Sequence, residues 1–370
     1  VFLDWMRGIA ATIMLQGHTF DNFASPATRQ GATYIFSQFI GGEAAALFLF
    51  LTGVTYGLGM NRRQHLQPWE RVKAALARAR YLFLLAIAFR VASFAFSYPH
   101  SSVRDLLKVD VLNLMGLTAA VISVLALFGG LDRVRWAGLV GVGIAALSPL
   151  AKGIANTPLP DVLKWYLVPS ADMFSLFPWG SYLVFGMAAG SAIPLIDRNS
   201  WGRVMQWSAL VGFGLLIAGR FFGDLPFSIY TDSNFWLDSP ALVACKMGII
   251  FLIAAASFLW TEYLSPDGFS WVRTLGTNSL LVYVVHIQLV YGRWFNDYNQ
   301  RWDTRTCILF SACLIVSMIG MCVGVKRVPW SELLESIGIH FGKRHPHPAE
   351  VVEMHPATDA EIRRTARRRL

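Results

Sequence analysis

Apolar residues fill the chain in blocks of roughly twenty, divided by short polar or basic stretches, from the first residues to about residue 325. A hydrocarbon core about 30 Å thick takes roughly 20 apolar residues per helix. The pattern therefore predicts spans at 2–22, 40–60, 78–97, 109–129, 136–152, 173–194, 204–222, 241–261, 276–295 and 306–325. The fold class that follows is all-α: a polytopic integral membrane helix bundle of about ten transmembrane helices, with both termini on one side. No fixed-period repeat interrupts it, and no polar stretch is long enough for a separate soluble core, so residues 1–325 read as one domain. After it, Pro329 and Trp330 followed by Leu333, Leu334, Ile337 and Ile339 predict an amphipathic interfacial helix over 326–342. Residues 343–370, rich in Arg, His and Pro, read as a basic disordered tail.

Composition agrees with this pattern, because only 15% of the 370 residues are charged while 55% are hydrophobic. The net charge of +9 raises the question of nucleic acid. Yet the basic residues gather between spans and in the tail, where membrane topology accounts for them, so the partner expected is the lipid bilayer and not nucleic acid. Arg62, Arg63, Arg71, Lys73, Arg78 and Arg80 crowd the 61–80 connection, and Arg133, Arg135, Arg198 and Arg203 fall on the same side in a ten-span arrangement. By the positive-inside rule that side, with both termini, is cytoplasmic. The four cysteines lie inside predicted spans without ligand spacing, and the tail residues His340, His345, His347 and His355 lack carboxylate or thiolate companions. No metal site is expected.

The first span is unusual in its polar content. Asp4, Arg7, Ala11, Met14 and His18 follow a 3,4,3,4 spacing and share one helix face, which Asp21 continues. Ionisable residues inside a span are costly, at least roughly 2.5–3.5 kcal/mol near the centre, so by default they mark function or tight pairing. Asp4 and Arg7 are spaced as an i,i+3 ion pair at the cytoplasmic end. His18 lies roughly 21 Å beyond Asp4, in the outer half. Asp21 is spaced to accept a hydrogen bond from His18, fixing its tautomer and stabilising an imidazolium, as a general base requires. The alternative is that His18 and Asp21 are merely interfacial residues wetted at the outer headgroups.

Other spans hold fewer such residues. Ser279, Tyr283, His286 and Arg293 share a face, with Asn278 close to the same stripe. His286 is either a second acid/base or a structural group bonding Tyr283 or a carbonyl between helices. Glu43 and Arg90 are opposite charges deep in neighbouring spans and are candidates for mutual pairing; Arg90 alternatively faces an anionic substrate group. Lys246 and Arg220 are near enough to the outer ends of their spans to snorkel. Asp110 and Asn113 suit a helix N-terminus.

Asp4, Arg7 and Gly8, followed by an apolar run to His18, resemble the first helix of the transmembrane acyltransferase superfamily. The likeness is greatest to bacterial proteins related to the heparan-alpha-glucosaminide N-acetyltransferase catalytic domain. Further blocks are similar: Ala46-Leu-Phe-Leu-Phe-Leu-Thr-Gly53, Asp110-Val-Leu-Asn-Leu-Met-Gly116, Phe177-Pro-Trp-Gly180 with Phe185-Gly186, and Gly276-Thr-Asn-Ser-Leu-Leu-Val-Tyr-Val-Val-His286. They occur in family order over most of residues 1–325.

The resemblance implies a helical bundle that takes an acyl group, usually acetyl, from cytosolic acyl-CoA. It delivers the group to a hydroxyl or amine of a glycan or similar acceptor on the far side. Arg62, Arg63, Arg71 and Lys73 are then candidates to meet the CoA phosphates, although topology alone explains their charge. In the lysosomal branch the essential histidine precedes the second helix, whereas residues 19–42 here contain none. His18 matches instead the first-helix histidine of the wider bacterial group, which favours direct transfer over a covalent acetyl-histidine.

The expected protein is thus an acyl-CoA-dependent O- or N-acyltransferase of a bacterial inner membrane. Acyl-CoA is its co-substrate, and no cofactor is tightly bound. His18 is the base, Asp21 its orienter, and Asp4 and Arg7 are a helix anchor or part of the donor passage. His286, Tyr283, Asn278, Arg90 and Glu43 line the cavity. Two other classes fit the same spans: a non-catalytic transporter or flippase with a polar translocation stripe, and an accessory subunit of a larger membrane complex. A homo-oligomer is compatible with each.

Overall fold

The computed structural model of the chain describes residues 1–98, 102–264 and 268–327. The expected interfacial helix and basic tail lie outside the described residues, apart from 326 and 327. Residues Val1–Gly324 form one compact unit, and the described part of the second unit, 325–327, ends the last helix.

Helices come in chain order as α1 (Phe2–Phe23), α2 (Ala32–Arg62), α3 (Pro68–Ser97), α4 (Val103–Leu107), α5 (Val111–Val121), α6 (Gly130–Leu147) and α7 (Asp161–Leu167). They continue as α8 (Ser181–Ala192), α9 (Trp201–Gly223), α10 (Pro240–Leu259), α11 (Trp271–Thr277), α12 (Ser279–Val290) and α13 (Thr304–Arg327). Among the described residues there is no strand, only an isolated bridge between Ala24 and Trp302. The chain is an all-α membrane helix bundle.

Among the described residues seven helical segments are long and apolar enough to cross a bilayer, and there are eight if α6 and Leu150–Asn156, bent by 60°, count as one span. Two expected spans fall below that standard for physical reasons. α1 carries Asp4, Arg7 and Asp21, and the expected 276–295 span is broken at Asn278 into the seven-residue α11 and the twelve-residue α12. A ten-span arrangement needs both of these as well.

The 61–80 connection is much shorter than its basic composition predicted. Pro68 opens α3, and a capping box between Gln67 and Glu70 satisfies the first turn, so Arg71, Lys73, Arg78 and Arg80 all lie on the helix. Only residues 63–67 link α2 to α3. Lys and Arg are good helix formers, and charge alone does not end a helix.

Close packing through glycine sets the centre of the bundle. Gly53 and Gly57 on α2 face Gly186 and Gly190 on α8, each pair at i,i+4 spacing. A Cβ at Gly53 would overlap the Leu183 carbonyl, and one at Gly186 the Phe50 carbonyl. Small residues at this spacing let two membrane helices approach to backbone contact, which strengthens dispersion where lipid supplies no hydrophobic drive. Gly186→Val is expected to lower stability by about 1–3 kcal/mol. Gly138→Val is the control, since a Cβ there meets nothing within 4 Å. Thermal denaturation in detergent reads the difference.

The same device joins α1 to α11: a Cβ at Gly8 would strike Val272, and one at Gly276 the Asp4 carbonyl. Around these contacts, Met6, Ala10, Leu47, Leu49, Leu51, Leu114, Leu183 and Met187 form a buried core, and Ala11, Leu15, Phe23, Leu275 and Cys307 a second one.

Candidate active site

α1 and α12 bring two imidazoles together. His18 Nδ1 lies 2.9 Å from His286 Nε2, and the rings are inclined by only 11°. His286 is fully buried, while His18 is partly exposed. The protons follow from the third group in the chain. His286 Nδ1 is 2.8 Å from the Val282 carbonyl, which only accepts, so Nδ1 carries the hydrogen. In the neutral pair Nε2 of His286 then accepts from His18 Nδ1–H, and His18 Nε2 is left with its lone pair. This is the tautomer a base needs. The peptide carbonyl, rather than a carboxylate, sets it.

Among the described residues no hydrogen bond joins Asp21 to His18, the contact its spacing predicted. Its carboxylate accepts a 2.8 Å hydrogen bond from the Tyr291 hydroxyl, and its backbone carbonyl accepts one from Arg29. Tyr291 in turn stands edge-on to the His18 ring, with centroids 5.5 Å apart. The i,i+3 spacing puts Asp21 near His18, but α12 crosses at this level and His286 occupies the Nδ1 side. Asn22 holds the crossing by donating to the Val290 carbonyl and to Asn299.

Tyr283 packs edge-on to His286 at 5.9 Å and against Phe89 at 5.1 Å. Gln288, one turn along, donates to Ser93 at 2.7 Å. These contacts tie α12 to α3 beside the imidazole pair. Asn278 is elsewhere: its amide donates to Thr274 and Thr277 at the break before α12, roughly 12 Å along the axis from His286. Arg293 also leaves the expected face, because α12 ends at Val290 and Arg293 lies over Trp294 in the next turn.

Glu43 and Arg90, expected to pair as opposite charges in neighbouring spans, each take another partner. Arg90 pairs with Asp110 at 3.2 Å. Asp110 also caps α5 through the amides of Leu112 and Asn113. Glu43 pairs with Lys246 at 3.1 Å, and Lys246 donates as well to the Gly42 carbonyl at 2.8 Å. Lys246 is thus a buried structural cation of α10 and does not snorkel. Arg220 is exposed and pairs with Asp224 at 3.0 Å. Lys246 and Glu43 were each the lone charge in a strongly apolar stretch, and that shared isolation was the signal connecting them. Asp4 and Arg7 form the i,i+3 pair at 2.8 Å, about a quarter exposed, at the opposite end of α1 from His18.

A cavity of about 230 Å³ opens between α2 and α3, lined by Thr52, Tyr56, Met60, Arg63, Arg71 and Arg78, among others. Tyr56 closes its wall by donating to the Ala119 and Ala75 carbonyls. Arg63 and Arg71 are among the four basic residues the sequence singled out; Arg62 and Lys73 are not in its lining, and Arg78 is. Helical geometry explains the selection, since positions 71 and 78 are seven apart on one face whereas 73 points elsewhere. A wider depression of about 550 Å³ along α9 is an open surface with Arg220 and Asp224 at its edge. It contains neither His18 nor His286, and none of Arg63, Arg71 and Arg78.

Gly17 lies against Gly41, so His18 stands near the level of Gly41 on α2. Thr52, at the cavity, is eleven residues further along that helix, roughly 16 Å away. The site therefore has a cationic pocket at one level and an imidazole pair at another. That arrangement suits a reagent with an anionic head and a reactive end on a long arm.

Comparison with known proteins supplies the chemistry class. No curated protein matches the chain. The family model described as an acyltransferase domain matches residues 1–325, the whole helical unit from α1 into α13. The chain belongs to this acyltransferase-domain family and is an integral membrane protein of the acyltransferase type.

Proposed function

We propose that the protein moves an acyl group, acetyl in the simplest case, from cytosolic acyl-CoA to a hydroxyl or amine of an extracytoplasmic glycan or similar acceptor. The observation that carries this reading is the His18–His286 pair, with a free lone pair on the more exposed ring. The ten-span topology, the cytoplasmic placement of both ends and a bacterial inner membrane belong to the same proposal, as does the likeness to the glucosaminide acetyltransferase branch.

In this mechanism the donor's phosphates rest on Arg63, Arg71 and Arg78, and its thioester reaches up to His18. His18 Nε2 takes the acceptor's proton as the acceptor oxygen or nitrogen attacks the thioester carbonyl. The C–S bond breaks, and the departing thiolate recovers the proton from His18. While His18 is protonated, its Nδ1–H remains bonded to His286 Nε2. Movement of that proton onto Nε2 places the charge on His286, whose two N–H groups then face His18 and the Val282 carbonyl. Two rings thereby share one charge in a site shielded from water. His286 acts through His18 and is a positioning residue. Asp4 and Arg7 anchor the cytoplasmic end of the helix that carries the base.

Purified protein in liposomes, given acetyl-CoA labelled in the acetyl group, tests the reading. Label on an acceptor, or thioester turnover, is expected from the native chain. Replacing Arg63, Arg71 and Arg78 together by Gln is expected to raise the KM for acetyl-CoA by more than about tenfold with a smaller change in kcat. Movement of a glycan or lipid without any CoA dependence would support the transporter class instead.

A further inference from the structure

Among the described residues Arg133 is the largest fully buried side chain, yet no carboxylate there pairs with it. Asp132, its neighbour in sequence, turns instead to Arg135 at 3.5 Å. Arg133 Nε donates to Ser191 Oγ at 3.1 Å, and Nη2 donates to Asn61 Oδ1. Nη1 is buried and finds no hydrogen-bond partner among the described residues. The arginine therefore sits where α2 and α8 end, and Asn61 uses its own amide on the Gly190 and Ser191 carbonyls. Helix C-termini offset part of a positive charge. They do not use the third nitrogen.

A second guanidinium shares this condition. Arg71 reaches the 127–129 segment just before α6: its Nη2 is 3.5 Å from the Leu127 carbonyl, and its Nη1 is 4.0 Å from where a Cβ on Gly129 would be. Its Nε is buried and also without a partner. Arg71 is at the same time a lining residue of the α2–α3 cavity. Arg71 thus carries an unpaired N–H at the wall of the cationic pocket, and Arg133 is joined to it through the exposed Gln64, which donates at 3.2 Å to the same Asn61 Oδ1 that Arg133 bonds and lies beside Gly129 with Arg71.

Resting on the donor reading above, we infer that Arg133 and Arg71 form a phosphate-ester subsite. A phosphoryl group of the donor would enter beside Gln64 and accept from Arg133 Nη1 and Arg71 Nε. Guanidinium suits this role because it offers fixed, always-charged donors to phosphate oxygens. An anionic phospholipid headgroup presents the same phosphate-ester chemistry, and the experiment separates the two sources.

Full-length protein is reconstituted in nanodiscs, and binding of coenzyme A and of phosphate-free pantetheine is followed by tryptophan fluorescence. Arg133→Gln is expected to weaken coenzyme A binding about tenfold to a hundredfold and to leave pantetheine unchanged. A parallel series compares thermal midpoints in phosphatidylcholine with and without phosphatidylglycerol. Loss of the phosphatidylglycerol-dependent rise in the variant, with coenzyme A affinity intact, assigns the subsite to lipid. If the native chain binds no coenzyme A but keeps that Arg133-dependent rise, the donor reading falls and the phosphate site stands. Equal weakening of both thiol ligands, or no effect in either series, overturns the inference. Should Arg133→Gln not fold, Arg133→Lys, which keeps the charge but loses the second planar donor, is measured for the same discrimination between phosphorylated and phosphate-free ligand.

Discussion

His18→Gln is expected to leave a folded protein whose acyl transfer is slower by about 10²–10⁴-fold, the usual worth of a positioned general base. The argument rests on the tautomer. The Val282 carbonyl forces the proton of His286 onto Nδ1, and this leaves His18 Nε2 as the free basic nitrogen of the pair. Gln at 18 retains an amide donor toward His286, so packing changes little, but it cannot take a proton. Single-turnover rates with labelled acetyl-CoA, set beside an unchanged thermal midpoint, check the result; full transfer by a folded His18→Gln protein would remove His18 from the chemistry. His286→Gln is expected to act more mildly, about tenfold to a hundredfold. The loss falls on kcat with KM retained, and the pH–rate profile changes shape because one imidazole replaces a coupled pair. Asp21→Asn distinguishes the two routes to an oriented base. With its carboxylate committed to Tyr291, its replacement should alter kcat by no more than about a fewfold.

Lys246→Met is expected to destabilise the protein by about 3–5 kcal/mol, because it strands the Glu43 carboxylate among apolar helices. The pair is 3.1 Å apart, and Glu43 and Lys246 side chains are only 5% and 10% exposed. One Glu43 oxygen already has no hydrogen-bond partner, so Lys246 is its principal compensation. Glu43→Gln alone should be less severe, and the double substitution Glu43→Gln with Lys246→Met should recover much of the loss. Neutral residues of similar volume carry no buried charge to desolvate. Thermal denaturation of the three variants in one detergent closes the cycle. Additive losses would show that the two charges do not depend on one another.

Much of the molecule was legible from spacing alone. Hydrophobic length predicts helices within a bilayer, and the centres of the expected spans fall on observed helices. The i,i+3 relation of Asp4 and Arg7 yields the ion pair it predicts because a helix fixes that separation within itself. Boundaries were less legible where capping chemistry competes with composition. The basic 71–80 run is helical through Pro68 and the Gln67–Glu70 box, and the expected helix through 276–295 breaks at Asn278 and ends at Val290.

Candidate site residues divide the same way. His18 and His286 stood out one at a time, as imidazoles in apolar helices 268 positions apart, and no local rule joins them. Asp21 was the nearer partner in sequence, but the crossing of α12 supplied a better-placed nitrogen. Lys246 belonged with Glu43, and Arg90 with Asp110, for a comparable reason: a buried charge is stabilised by whichever opposite charge packing presents.

The sequence by itself determined the membrane-spanning all-α class, the polar stripe of the first helix and the residues too polar to be idle, since each follows from periodicity and transfer energy within one segment. Only the tertiary structure decided which of those residues touch. It made His286 the partner of His18, turned Asp21 to Tyr291, selected Arg63, Arg71 and Arg78 as the pocket's cations, and buried Arg133 without a counter-charge. Those pairings depend on how helices cross, and crossing is governed by glycine contacts and side-chain packing between segments distant in the chain.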